Sequence, residues 1–294
     1  MTQSLTQELT GSGNRSKYVE FLGLAVAGMA AWWQPLVSTL KLSLSNDAYT
    51  YILLILPVSI ALVYIDRGRV SSFSSSGRWP GWILLSVAIL LRLIARNHDY
   101  SSVTGRWSLS MIALVVWWMG SAIVCFGIPA LRTHLFSVCF LFLLVPLPDG
   151  VVNWIVEGLQ NTSAGASQAL FYVAKVPVFR QGIILSIPGL DIEVARECSS
   201  IRSSTMLVVL TLLLAHLFLR SNSRKAVLVL AAFPLSVVKN AVRIFTIAEL
   251  ATRVDPAYLN GSLHHHGGIL FLGFSVFFIV LLLWVLRRGE LRTS

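Results

Sequence analysis

The chain has 294 residues, of which 55% are hydrophobic and 12% charged, and its mean hydropathy is +0.74. Ordinary soluble domains carry roughly 25% charged residues, so this composition excludes a cytosolic enzyme, a disordered chain and a secreted disulfide scaffold, and defines an integral membrane protein. The formal charge of +10 does not point to nucleic acid, because the basic residues lie mostly between apolar spans and report topology there.

The N-terminal stretch is polar through Lys17 and offers no small-residue cleavage site after a short apolar core, so an uncleaved first span is expected. Apolar runs predict eight spans, at about 19–38, 49–65, 80–96, 108–128, 133–147, 203–219, 226–250 and 267–286. The fifth is short; the eighth, from Ile269, is uninterrupted. No internal repeat or low-complexity linker divides the chain. The expected fold is an all-α polytopic membrane protein, one domain over 1–294, with a small extracytoplasmic hairpin region before the sixth span.

Lys and Arg set the orientation. Arg15 and Lys17, then Arg67, Arg69 and Arg78, then Arg132, then Arg220, Arg224 and Lys225, and finally Arg287, Arg288 and Arg292 fall on alternate loops. The opposite loops hold Asp47, Asp99, Asp149, Glu157, Asp191, Glu193, Glu197 and Asp255. Both termini are therefore expected in the cytoplasm of a cell-membrane protein, with 148–202 and 251–266 facing outward. Within 148–202, ThrSerAlaGlyAlaSer at 162–167 suits close backbone approach in a helix that packs against or re-enters the bundle. The segments 183–187 and 190–194, about ProGly at 188–189, read as two short strands and a turn.

Three side chains converge on the outer level. Cys125 and Cys139 fall inside spans and read as small buried hydrophobes. Cys198, in ArgGluCysSerSerIleArg before span six, faces an oxidising compartment where neither can pair with it, a poor structural choice for a thiol. Arg243 lies within span seven, where an arginine is either functional or snorkelling. Seventeen residues from about 226, at about 1.5 Å each, put it roughly 26 Å across a core of about 30 Å. Lys239 lies one turn deeper on the same face, and Asn240 is placed to hydrogen-bond in the bundle interior. His264, His265 and His266 stand at the outer entrance to span eight; adjacent helical side chains diverge by about 100°, and no accompanying Cys–His or Asp–His spacing suggests a metal. A thiolate nucleophile, an imidazole acid–base and a guanidinium over an oxyanion are the parts of acyl transfer through a thioester.

These residues carry a resemblance. The stretch 146–273 resembles the exosortase/archaeosortase family of membrane-embedded cysteine transpeptidases. Its Cys-Ser-Gly-Ile/Leu-Arg stands here as Cys198-Ser199-Ser200-Ile201-Arg202, its Asn-x-x-Arg as Asn240-Ala241-Val242-Arg243, and its His-x-x-x-Gly as His264-His265-His266-Gly267-Gly268. LeuGlnAsnThrSerAla from Leu159 and ProValPheArg from Pro177 also look like the family; Ser200 departs from its usual Gly. Residues 1–145 match only as hydrophobic spans.

The resemblance implies a substrate that is a secreted protein ending in a short motif (often Pro-Glu-Pro in bacterial members), a hydrophobic span and a basic tail. It implies Cys198, Arg243 and His264 as catalytic residues, with Asn240, Arg202 and His266 supporting them. No cofactor or metal is implied. The partners are the sorting-signal proteins, membrane lipid and an acceptor nucleophile that the sequence does not name. Two other classes remain open: a membrane acyltransferase or polysaccharide-export component without a Cys nucleophile, and a transporter using Arg243 as an anion counter-charge. The transporter reading lacks paired Gly/Pro-broken spans in corresponding halves.

Overall fold

The computed structural model describes residues 2–66, 78–97, 103–194, 201–259 and 262–293; at 2–15, 66, 103, 258–259, 262–269 and 293 it describes the backbone alone. The fold is that of an all-α polytopic membrane protein with one small sheet. Among the described residues, six helices are long and apolar enough to cross a membrane. The number rises to eight if Ser16–Ala31 with Trp33–Ser45, and Leu135–Leu144 with Asp149–Val173, each count as one broken span. The chain gathers into two compact units, 1–149 and 150–294.

The first unit holds α1 (Thr2–Ala31), α2 (Trp33–Ser45), α3 (Ile52–Asp66), α4 (Trp79–Asn97), α5 (Val103–Thr133) and α6 (Leu135–Phe140). The expected first span is not continuous: α1 and α2 meet at Trp32 with a bend of 73°. Pro35 explains the break, since its ring would clash with the carbonyl four residues back, at Ala31, and it has no N–H to donate. The α5 run is likewise broken at Gly127, whose φ of +83° and ψ of 170° suit glycine alone, with Pro129 two residues on.

Indole N–H groups tie α5 to α1: Trp117 Nε1 donates to the Leu24 carbonyl at 2.8 Å. After α6, a 3₁₀ turn at Leu141–Leu144 ends at Val145, which is extended because Pro146 follows it. The carbonyls freed in this proline-rich break are satisfied from neighbouring elements. Ser108 Oγ donates to Pro146 O at 2.6 Å and Tyr49 OH to Leu147 O at 2.8 Å. Inside a bilayer such groups have no water to turn to. Cys125 is buried as expected, but Cys139 is exposed. The short α6 turns Ser137, Val138 and Phe140 inward, which leaves position 139 on its outer face.

The second unit holds α7 (Asp149–Val173), β1 (Phe179–Gln181), β2 (Ile184–Ile187), β3 (Leu190–Glu193), α8 (Ile201–Phe218), α9 (Asn222–Arg253) and α10 (Ser262–Thr293). The expected two strands about ProGly form, pairing Ser186 with Asp191 and Ile187 with Leu190 in antiparallel register. A third strand, β1, adds on the other side of β2, with Arg180 opposite Leu185. Gly182 at φ +64° and Gly189 at φ +84° make the two turns possible.

Leu185, Ile187 and Val194 form the inner face of the sheet and pack with Ala164 and Phe171 of α7 and with Ile244 and Ala248 of α9. A second core, including Leu207, Leu228, Ala232 and Ile279, joins α8, α9 and α10. At one end of this bundle the Glu290 carboxylate accepts the backbone N–H of Arg220 at 3.0 Å and of Ser221 at 2.8 Å. Arg224 Nη1 donates to Leu286 O at 3.0 Å. The basic segments 220–225 and 286–292, read from sequence as sharing one side, thus meet at one end of the unit.

Candidate active site

Helix α9 carries the polar centre of the second unit. Its inward residues recur at helical spacing through Ala232, Ser236, Lys239, Asn240, Arg243 and Ile247. Arg243 is 7% exposed and Lys239 1%, so neither side chain snorkels outward. Two cations one turn apart in an apolar helix bundle are expensive to bury. The neighbouring helices meet this face with small hydroxylic residues. Asn240 Nδ2 donates to Ser163 Oγ of α7 at 3.0 Å, as its interior placement suggested. Lys239 Nζ donates to Ser203 Oγ and, at 3.5 Å, to Ser204 Oγ in the first turn of α8.

The small-residue run of α7 packs inward as expected: Ser163, Ala164 and Ser167 are all buried. Ser167 Oγ bonds its own helix at Ser163 O, 2.8 Å, and reaches the Ala241 carbonyl of α9 at 3.5 Å. The stretch from Leu159 to Ala164 is where three ties converge. Gln160 Nε2 donates to Val194 O at 2.7 Å, fixing the residue that closes the sheet. The Asn161 carbonyl accepts from Arg180 Nη2 at 3.1 Å, while Arg180 Nε donates to Gly182 O at 2.7 Å. Gly165 makes room for that guanidinium, since a Cβ there would stand 2.9 Å from Nη1.

Of the residues singled out from sequence, the structure buries Arg243 and Asn240 together on α9 and leaves Arg202 exposed as the second residue of α8. Cys198 lies outside the described residues, as do Ser199 and Ser200 beside it. His264, His265 and His266 lie on the helical backbone of the first turns of α10, and their side chains lie outside the described ones. Among the described residues no group of His, Cys, Asp or Glu is arranged to hold a metal ion. The sequence motifs assign no role to Lys239, Gln160 or Ser163. Gln160 and Ser163 stood within a family-like stretch, and Lys239 stood four residues before Arg243. Each signal was present without a role attached.

Membrane-length helices, buried intramembrane cations and a lashed-down sheet define a multi-pass membrane protein with a polar centre in its second unit. It belongs to the transmembrane exosortase family, which matches residues 32–283. The match takes in most of the first unit, where the sequence alone showed only hydrophobic spans, as well as all three motifs of the second. No curated protein and no solved structure matches the chain.

Proposed function

We propose that this membrane exosortase is a cysteine transpeptidase that cleaves C-terminal sorting signals of secreted proteins through a thioester on Cys198. The observation that carries the reading is Arg243: a guanidinium 7% exposed on α9, in an Asn240-x-x-Arg243 motif, within a chain of this family. An intramembrane cation held at that cost suits a developing anion better than it suits packing.

In the proposed reaction the Cys198 thiolate attacks the scissile carbonyl and a C–S bond forms. Arg243 stabilises the tetrahedral oxyanion. The intermediate collapses with rupture of the C–N bond, and His264 protonates the departing amine. An acceptor nucleophile, or water, then gives its proton to His264 and attacks the thioester, returning the thiolate. The substrate's hydrophobic span would lie laterally against the bundle. The positive-inside bias supports cytoplasmic termini and a site at the extracytoplasmic face.

The test is a tagged substrate carrying a motif, a hydrophobic span and a basic tail, expressed with enzyme variants. Cys198→Ala is expected to insert normally and abolish processing, whereas Cys125→Ala with Cys139→Ala keeps it. Substantial processing by Cys198→Ala would refute the thioester and favour an acyltransferase or export component without a Cys nucleophile.

A further inference from the structure

Lys239 is among the most completely buried side chains of the protein, and it stands one helical turn from a second buried cation, Arg243. Like charges at this spacing repel, and burial removes the water that would screen them. A bundle that needed only a tie between α8 and α9 could use a neutral donor there, as it does one position on, where Asn240 ties α9 to α7. Lys239 instead directs its ammonium at two hydroxyls, those of Ser203 and Ser204. Both sit in the first turn of α8, which begins at Ile201. Ser203 is the residue immediately after the Cys198-to-Arg202 motif.

A charge-assisted contact to two successive residues fixes both the rotation of that turn about its axis and its height along α9. Because Lys239 and Arg243 share one face of one helix, whatever sets the first turn of α8 against Lys239 also sets that turn against Arg243. We propose that Lys239 is a positioning residue for peptide transfer: through Ser203 and Ser204 it locks the start of α8 in the register that delivers the Cys198 segment to Arg243. This rests on the reading of Cys198 as nucleophile. In this role Lys239 acts through the two serines. Its loss should therefore lower turnover while leaving substrate affinity alone.

The experiment uses the full-length enzyme in detergent or membranes with a tagged sorting-signal substrate. Lys239→Met keeps the length of the side chain and removes the charge and the donors. The expected result is a kcat lower by about 10–100-fold, the scale of a small misplacement of reacting groups. KM should stay within a few-fold of wild type, and alkylation of Cys198 by a thiol probe should slow. Lys239→Arg, which keeps a buried donor cation, should recover part of the lost kcat. Ser203→Ala with Ser204→Ala should lower kcat by a similar factor, and adding Lys239→Met to that pair should lower it little further.

Wild-type kcat in folded Lys239→Met overturns the inference. So does a rise in KM at constant kcat, or a fall in the triple variant equal to the product of the separate falls. If Lys239→Met does not accumulate, single Ser203→Ala decides: reduced kcat at unchanged KM supports the inference, and unchanged kcat overturns it. Cys198→Ala run in parallel separates the two failures. An inactive Cys198→Ala beside a fully active Lys239→Met removes only the role of Lys239, whereas an active Cys198→Ala removes the nucleophile itself.

Discussion

Asn240 Nδ2 stands 3.0 Å from Ser163 Oγ, with both side chains almost wholly inside the second unit. The bond joins α9 to α7 on the same turn that presents Arg243. It forms because α7 offers Ser163, Ala164 and Ser167 along one face, where larger side chains would keep the helices apart. The remaining acceptor, Asn240 Oδ1, is buried and finds no partner among the described residues. The arrangement is therefore held by one donor, and removal of either partner leaves a polar group stranded.

A double-mutant cycle at this pair follows. Asn240→Ala and Ser163→Ala should each destabilise the protein in detergent, with a coupling between them of about 0.6 kcal/mol, the average for interhelical hydrogen bonds in membranes. Thermal unfolding of the four proteins measures it. Additive losses would mean that the bond contributes nothing to stability.

The first unit offers a sharper steric test. A Cβ on Gly81 of α4 would stand 2.8 Å from the Val124 backbone nitrogen and 2.9 Å from the Gly120 carbonyl oxygen of α5. Backbone cannot swing aside as a side-chain tip can, so Gly81→Ala should cost about 1–3 kcal/mol as α4 is pushed outward. Gly23→Ala is the control: a Cβ there meets nothing within 4 Å, and alanine should be neutral or stabilise the helix by up to about 1 kcal/mol. Thermal unfolding in detergent compares the two, and equal stability of both variants would refute the close α4–α5 approach.

Much of this architecture was readable because a bilayer makes apolar length and loop charge nearly sufficient, and because ProGly at 188–189 marks a turn whose Gly189 adopts φ +84°. What escaped was local. Pro35 sits in an otherwise apolar stretch, so hydropathy runs through a bend that its ring enforces at Trp32. Strand β1 has three residues, with Phe179 exposed and no alternation long enough to register; its place comes from pairing with β2. Arg243 could be singled out because an arginine in a span is conspicuous. The roles of Lys239 and Gln160 depend on partners distant in sequence, Ser203 and Val194, which no spacing rule supplies.

Substitution of Arg243 separates an oxyanion donor from a generic cation. Arg243→Ala should lower turnover by about 10²–10³-fold, the usual cost of one such donor. Arg243→Lys should remain well below wild type, because a compact ammonium cannot reproduce the planar fork of the guanidinium. Processing of the tagged substrate in single-turnover form measures both. Equal activity with Lys and Arg would show that position 243 needs only charge.

The three adjacent histidines occupy successive positions in the first turns of α10. The backbone of α10 is helical from Ser262, so positions 264, 265 and 266 follow one another around its axis at about 100° per residue. Positions 264 and 268 are four residues apart and therefore lie on one face of a helix. His264-x-x-x-Gly268 is also the spacing by which the sequence resembles the family's His-x-x-x-Gly. Separate alanine substitutions decide the assignment. His264→Ala should lower processing by about 10²–10⁴-fold, the range for a positioned acid–base, while His265→Ala and His266→Ala stay within a few-fold of wild type. A large loss in His266→Ala with His264→Ala still active would move the acid–base to His266 and leave the cysteine chemistry intact.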